Sequence, residues 1–484
     1  MSTSNKIVYN VAFSSVAKVL STVAALVGIG FITRHLGQEG FGWYATALAF
    51  LPLFGALGDW GLPQTTAMRI SKPGAEEKKI VSNAIGIRII LSLLILAVVP
   101  ILVPALPYPI ELKMAIVLVA FSYVFSSSYQ VLIGLFQKRL KMDRVTGAEL
   151  AGKVIQVILI IIGVQLNWSF YFIISTLLAN MIINFLFIFL MSRKFIRFKP
   201  SFDFSYWKYF LKQSIPIGIG TALTFVYFRS NTILLSLLRP AEDVGIFGAA
   251  QKVIENISFF PAMIVGLTMP LFTYNLNKNR DKFKRIVNEN YKIFFLLTIP
   301  MVVGGVLLAD GIIHIIAGPE FQASVAVLQV VIFALALIFF GNLFINILIA
   351  ADLQKYMFIA LLICAIFNIS TNLYFIPQFP DNAYMVPAVL SVITELLVVV
   401  LTGFFIFKKI NFFPKVEKLP FMILAGLLMA GYLWILRDLH FFLLLATSPL
   451  VYFGGLLAFK VVSRDEIKSL ALSARNKNKD FDQQ

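Results

Sequence analysis

Charged residues set inside apolar runs are the first in this 484-residue chain whose types could do chemistry. Lys18, Arg229, Lys252 and Glu255 each lie deep within a long hydrophobic stretch. An ionised side chain near the middle of a bilayer costs several kcal/mol, so such residues face a polar interior and mark a pathway or a binding site. Asn10, Ser14, Lys18 and Thr22 recur every four residues and give one helical stripe. Thr221, Arg229 and Thr232 share roughly one face, and Lys252 and Glu255 are three apart, the spacing of a pair within a helix. Asp59, Arg88, Glu149 and Lys153 fall closer to the ends of their runs, where a long side chain can instead reach the headgroups. Lys18, Arg229, Lys252, Glu255, Asp59 and Arg88 form the candidate substrate-binding set. Its deepest members, Lys18, Arg229 and Lys252 against Glu255, lean cationic and suit an anion.

A second group is neutral. Asn368 and Asn372 are one turn apart, and Thr394 and Glu395 lie on the next apolar run. Amide and hydroxyl oxygens with one carboxylate can hold a hard cation or carry a proton. The competing reading is interhelical packing, the commoner use of Asn in a membrane helix. No cofactor is expected beyond a coupling sodium ion or proton.

Other motifs read as structure. Gly147-Ala-Glu-Leu-Ala-Gly152-Lys153 fills seven positions of a phosphate-binding loop, but Val154 stands where Ser or Thr should hold magnesium, and no strand precedes it. Asp480-Phe481-Asp482 has the spacing of a metal-dependent glycosyltransferase motif but sits in a polar tail. His35, His314 and His440 fall near span ends, where imidazole anchors at an interface. With one cysteine, Cys364, the chain has no intramolecular disulfide. No catalytic residue and no metal ligand stands out.

The elements that must position these residues are membrane helices. The chain is 59% hydrophobic and only 13% charged, too apolar for a soluble protein of this length. At about 20 apolar residues per crossing, the expected spans are 7–33, 41–68, 80–104, 110–136, 146–166, 169–192, 207–235, 242–272, 286–310, 321–351, 354–376, 382–407, 419–436 and 440–462. The fold class is therefore an all-α polytopic membrane protein of about fourteen helices. The first run is too long for a signal-peptide core and reads as a retained helix. With the N-terminus inside, inner segments hold 32 of the 41 Lys and Arg, outer segments 4, and the spans 5. That split puts both termini in the cytoplasm. It also accounts for the net charge of +17 without a nucleic-acid partner. The outer loops are short and leave no room for an enzyme's catalytic domain.

The chain also repeats itself. Gly37-Gln-Glu39-Gly-Phe-Gly42-Trp-Tyr44-Ala parallels Pro240-Ala-Glu242-Asp-Val-Gly245-Ile-Phe247-Gly, with Glu39, Gly42 and Tyr44 matching Glu242, Gly245 and Phe247. Six spans separate the copies, so the halves run parallel, with helices 1–6 in residues 1–203 and helices 7–12 in 204–410. Parallel repeats place a substrate site between them. Residues 411–464 hold two further helices, and 465–484 form a polar cytoplasmic tail.

Phe31-Ile-Thr-Arg34-His-Leu-Gly37-Gln-Glu-Gly-Phe41-Gly42-Trp-Tyr44-Ala, then Gly58-Asp59-Trp-Gly61-Leu62 and Ala67-Met-Arg69, resemble the opening of the bacterial polysaccharide flippases (Wzx-like). Gly134-Leu-Phe-Gln137 before basic residues resembles them too. This family belongs to the multidrug/oligosaccharidyl-lipid/polysaccharide exporter superfamily. The resemblance implies two six-helix lobes in a V around a central cavity, plus two extra helices. It implies alternating-access movement of an undecaprenyl-pyrophosphate-linked oligosaccharide, such as an O-antigen repeat unit, from the cytoplasmic to the periplasmic leaflet of the inner membrane. Membrane lipids, a polysaccharide polymerase and a chain-length regulator are the implied partners. The chain also resembles the lipid II flippases of that superfamily in helix number; their cation coupling involves helices 7, 11 and 12, and this resemblance adds Asn231 to Asn368, Asn372, Thr394 and Glu395. Lipid II flippases and cation-coupled multidrug antiporters of the same superfamily are the alternatives. A cavity for cationic drugs should be rich in carboxylates, and this one is not.

Overall fold

A computed structural model describes residues 3–461, of which the side chains of 3–9, 11, 12, 221, 224–228, 267 and 277 are not described. The tail expected at 465–484, the end of the last span, and the motif at Asp480 therefore lie outside the described residues. The fold is 86% helix, and no strand occurs among the described residues.

The helices are α1 (Thr3–Gly58), α2 (Leu62–Ile70), α3 (Glu77–Leu102), α4 (Ile110–Lys138), α5 (Met142–Gln165), α6 (Phe170–Ser192), α7 (Phe204–Leu238) and α8 (Ala241–Ile257). They continue as α9 (Phe259–Lys278), α10 (Arg280–Leu307), α11 (Ala309–Ile316), α12 (Ala323–Ala350), α13 (Gln354–Phe375), α14 (Met385–Ile410), α15 (Leu419–Ile435) and α16 (Phe441–Ala458). Ten described helices are long and apolar enough to cross a membrane, or eleven if one bent pair is a single span. Fourteen were expected, and two of the differences have plain causes. α1 carries the first two expected spans in one 56-residue element, bent at Gly37, whose φ of 64° is open to a residue without Cβ. α15 has only 17 residues, short of a full crossing.

Two boundaries differ from the expected ones. The span at 41–68 stops at Gly58 and restarts as α2, because the chain turns at Asp59–Gly61 with both Trp60 and Gly61 at positive φ. The span at 242–272 is two helices, α8 and α9, separated at Ser258.

The chain forms two compact units. One holds Met1–Ile257, Ile313–Val327 and Phe358–Thr394, and the remaining described residues form the other. The first is built around Leu62, Val81, Ala84, Leu132, Leu135, Phe136 and Phe210, with α2, α3, α4 and α7 closing on one apolar cluster. The second has its own core where Leu308, Met422, Met429, Tyr452 and Leu456 join α10, α15 and α16.

In the first unit α1 crosses α8, and the crossing carries the repeat. A Cβ on Gly42 would collide with the Ala241 carbonyl, and one on Gly245 with the Gln38 carbonyl. These contacts are reciprocal: Gln38 is to Gly42 what Ala241 is to Gly245. The two copies of the motif therefore pack on each other about a local two-fold, with Ala45 meeting its own equivalent Gly248. Small residues let the backbones touch, as at close helix crossings in lipid.

Candidate functional site

Beside that crossing lies a cavity of about 290 Å³. α1 contributes Ala25, Gly28, Ile29, Ile32, Tyr44 and Leu48; α5 contributes Lys153, Gln156, Val157 and Ile160; α7 contributes Arg229; α8 contributes Lys252, Glu255 and Asn256. Both halves of the repeat thus wall it. Glu255 is its anionic centre. Its Oε1 accepts from Arg229 Nη1, and its Oε2 accepts from Lys252 Nζ at 2.8 Å. The i,i+3 spacing predicted the second pair. The first joins different helices, which spacing along one helix does not reveal.

For Lys153 the sequence leaves two readings open, a headgroup contact or a polar interior. The structure places it on the cavity wall, where α5 meets α6 through a chain of amides. Lys153 Nζ donates to Gln156 Oε1 at 3.1 Å, and the same oxygen accepts from Asn180 Nδ2 at 2.9 Å. Asn180 Oδ1 in turn accepts from Asn184 Nδ2 at 2.9 Å. Gly152 permits this approach: a Cβ there would press on Asn180 Oδ1 and Asn184 Oδ1. The glycine of the false phosphate-binding motif is thus a packing glycine. The cavity wall carries three cations and one carboxylate, an excess of two positive charges.

The other predicted residues fall elsewhere. Lys18 is exposed on α1 and does not line this cavity. It lies seven residues before Ala25, about 10 Å along the helix, and bears electrostatically on both Glu149 and Lys153. The rest of its stripe ties helices together. Asn10 bonds the Leu140 carbonyl and the Asp143 amide, and Ser14 lies 2.9 Å from Thr146 Oγ1. Asp59 and Arg88 pair with each other at 2.6 Å, away from the cavity lining. Arg88 is fully buried and also donates to the Gly58 carbonyl at 2.9 Å and Tyr123 OH at 3.2 Å.

Two arginines of the opening motif have structural partners. Arg34 donates to the Gly30, His314 and Ile315 carbonyls, capping the end of α11, where a cation suits the helix dipole. Arg69 bonds Gln213 Oε1 through Nε at 3.1 Å and Nη2 at 2.9 Å, and stacks on Tyr206, Tyr209 and Phe210.

The neutral group assembles in the same unit. Asn368 accepts from Ser230 Oγ at 2.8 Å and donates to Thr394 Oγ1 at 3.1 Å. Asn372 Nδ2 donates to Asn231 Oδ1 at 2.9 Å, and Asn231 Nδ2 to Ser391 Oγ at 2.7 Å. Asn231, Asn368, Asn372 and Thr394 are thus brought together, and Ser230 and Ser391 join them. Asn372 Oδ1 is buried without a hydrogen-bond partner among the described residues. Glu395, though adjacent to Thr394, belongs to the second unit. Sequence reasoning passed over Gln156, Asn180 and Asn184, although two asparagines one turn apart within α6 are the signal that singled out Asn368 and Asn372.

Comparison with known proteins agrees with this architecture. A family profile described as polysaccharide biosynthesis protein matches residues 7–275, more than half the chain. A second, MatE, matches 216–374. A Shigella flexneri protein provisionally named an O-antigen transporter is 25% identical over 344 residues, covering 66% of this chain and 78% of its own. The lipid II flippase MurJ in an inward-closed conformation superposes with a TM-score of 0.70 at 18% identity, covering 92% of this chain and 98% of that one. An inward-facing multidrug-resistance MATE transporter of the MOP superfamily gives 0.68 at 15% identity, covering 83% and 98%. A Pyrococcus furiosus transporter of the same superfamily, described by the reversed polarity of its binding pocket, gives 0.60 at 14% identity, covering 84% and 96%. At these identities the structural likeness shows a shared fold.

Proposed function

This chain belongs to the polysaccharide biosynthesis protein family, and from that premise we propose that it flips a polyprenyl-diphosphate-linked oligosaccharide across the bacterial inner membrane. The substrate is an undecaprenyl-pyrophosphate-linked repeat unit of O-antigen or another polysaccharide, moved from the cytoplasmic to the periplasmic leaflet by alternating access. The observation that carries this reading is the cavity's excess of two positive charges between repeat halves. A diphosphate diester brings about two negative charges into a region of low dielectric, and fixed cations replace its lost hydration. Glu255 holds Arg229 and Lys252 while the cavity is empty and releases them to the phosphates on binding. Lys18, on the same helix as much of the lining, meets the headgroup on its way in. A carrier of cationic drugs would want the opposite sign, which argues against the antiporter alternative.

The amides Asn231, Asn368 and Asn372 with Thr394 offer neutral oxygens to a coupling sodium ion or proton, with Glu395 next in sequence. The basic inner segments support cytoplasmic termini. In a chain whose Cys364 is replaced, an impermeant thiol reagent applied to intact cells should label a cysteine at Gln378 and not one at Lys199.

The direct test is genetic. Cells lacking this protein should lose the surface glycan and accumulate the lipid-linked repeat unit on the cytoplasmic leaflet, and the full chain should restore export. Unchanged surface glycan would overturn the reading.

A further inference from the structure

The repeat makes two amide clusters comparable. Gln156 on α5 bonds Asn180 on α6; Asn368 on α13 bonds Thr394 on α14. α5 and α6 are fifth and sixth in the first half, and α13 and α14 hold those places in the second. Aligning Gln156 with Asn368 puts Ala365 opposite Lys153. The polar helix pair is duplicated, but the ammonium exists in one copy only, and that copy faces the charged cavity.

Lys153 is in an unusual electrostatic position. Its one hydrogen bond among the described residues goes to a neutral acceptor, Gln156 Oε1, which Asn180 also uses. An ammonium has three donors; this bond uses one of them, and the side chain lines the cavity. Its charged surroundings are of its own sign: Lys252 and Lys18 both bear on it, whereas Glu255 is bonded by Arg229 and Lys252. A lysine held for packing would meet a carboxylate or reach the headgroups. This one is aimed at open space by an amide chain that ends on the buried Asn184.

We infer that Lys153 is a third cationic ligand of the translocated headgroup, and that it makes the cavity select a diphosphate over a monophosphate. The inference rests on the flippase reading above and deepens it. Arg229 and Lys252, once released by Glu255, neutralise one phosphate group from the second half. Lys153 meets the other phosphate from the first half. The Gln156–Asn180–Asn184 chain positions it, so the headgroup bridges both halves of the repeat.

The test uses full-length protein in detergent and two probes, farnesyl diphosphate and farnesyl monophosphate, with calorimetric titration and a melting curve for each variant. The unmodified chain should favour the diphosphate. Lys153→Met should weaken diphosphate binding about ten- to a hundredfold, change monophosphate binding far less, and so erase the preference. Lys153→Arg should keep it. Diphosphate affinity unchanged in Lys153→Met, or equal weakening of both probes, would overturn the inference while leaving the flippase reading standing. If the unmodified chain binds neither probe, the substrate reading itself fails and this inference falls with it. If Lys153→Met does not fold, Lys153→Gln carries the same test, and loss of folded protein in both would show a structural lysine instead.

Discussion

Two arginines of the first compact unit each pair with a carboxylate, and the difference between the pairs separates architecture from function. Arg88 is fully buried, holds Asp59 at 2.6 Å, and donates further to a backbone carbonyl and a tyrosine hydroxyl. The charges match one to one. Arg229 holds Glu255 on a cavity wall, its side chain 25% exposed, and shares that carboxylate with Lys252. There the cations outnumber the anions. A closed, neutral pair fixes helices in place; an open pair with surplus charge is poised to accept an anion.

The largest effect should come from breaking the closed pair. Removing one partner of a buried ion pair strands a charge and costs about 3–5 kcal/mol. Arg88→Ala should therefore lower protein abundance and melting temperature strongly, and Asp59→Ala should do the same. Replacing both together by Met and Leu should recover much of the loss, because no charge is then left buried. If Arg88→Ala instead accumulates normally but fails to export, Arg88 belongs with the substrate residues.

The open pair should behave in the opposite way. In Arg229→Ala, Glu255 keeps Lys252 at 2.8 Å, so no buried carboxylate is abandoned. Arg229→Ala and Lys18→Ala should abolish surface glycan while abundance and membrane insertion stay near normal. Normal glycan at normal abundance in both would remove the cavity from the mechanism.

The neutral amide group predicts a smaller change. Asn368→Ala with Asn372→Ala removes the acceptor of Ser230 and the donor to Asn231. Export should fall several-fold and lose its dependence on the sodium or proton gradient. Transport that keeps its usual gradient dependence would make the group packing only.

These pairs show what a sequence can and cannot tell. Charges within apolar runs were visible, as were the repeat, most helix positions and the i,i+3 pair of Lys252 with Glu255. Which charges close on each other was not, because Asp59 with Arg88 and Arg229 with Glu255 are contacts between helices, and spacing along one helix says nothing about them. Lys153 was left undecided for a related reason. Distance from a span's end allows headgroup contact, but the amides of α6 that hold Gln156, the acceptor of Lys153, lie 24 and more residues along the chain from it. The Gly42–Gly245 contact is the reverse case. Sequence likeness over nine residues was slight evidence of a repeat, and reciprocal backbone contact at matched positions gives it a physical basis.

The smallest effect, and the finest division between the two pairs, concerns geometry rather than charge. Arg229→Lys keeps the positive charge but loses the planar fork that grips a phosphate through two parallel donors. At Arg88 both terminal nitrogens are in use: Nη2 serves Asp59, and Nη1 serves Gly58 and Tyr123. Lysine there would leave acceptors unfilled in a buried place and should destabilise the fold by about 1–3 kcal/mol. At Arg229 the bond to Glu255 uses Nη1, and among the described residues the rest of the fork is left for the substrate. If the cavity works through charge alone, Arg229→Lys should export glycan within a few-fold of the unmodified chain. If phosphate is gripped bidentately, export should fall by about tenfold or more at unchanged abundance, since each charge-assisted bond lost is worth about 1.5–3 kcal/mol. Surface glycan measured beside protein level separates these outcomes, and a fall in level with Arg229→Lys would place Arg229 with Arg88, as a residue that holds helices together.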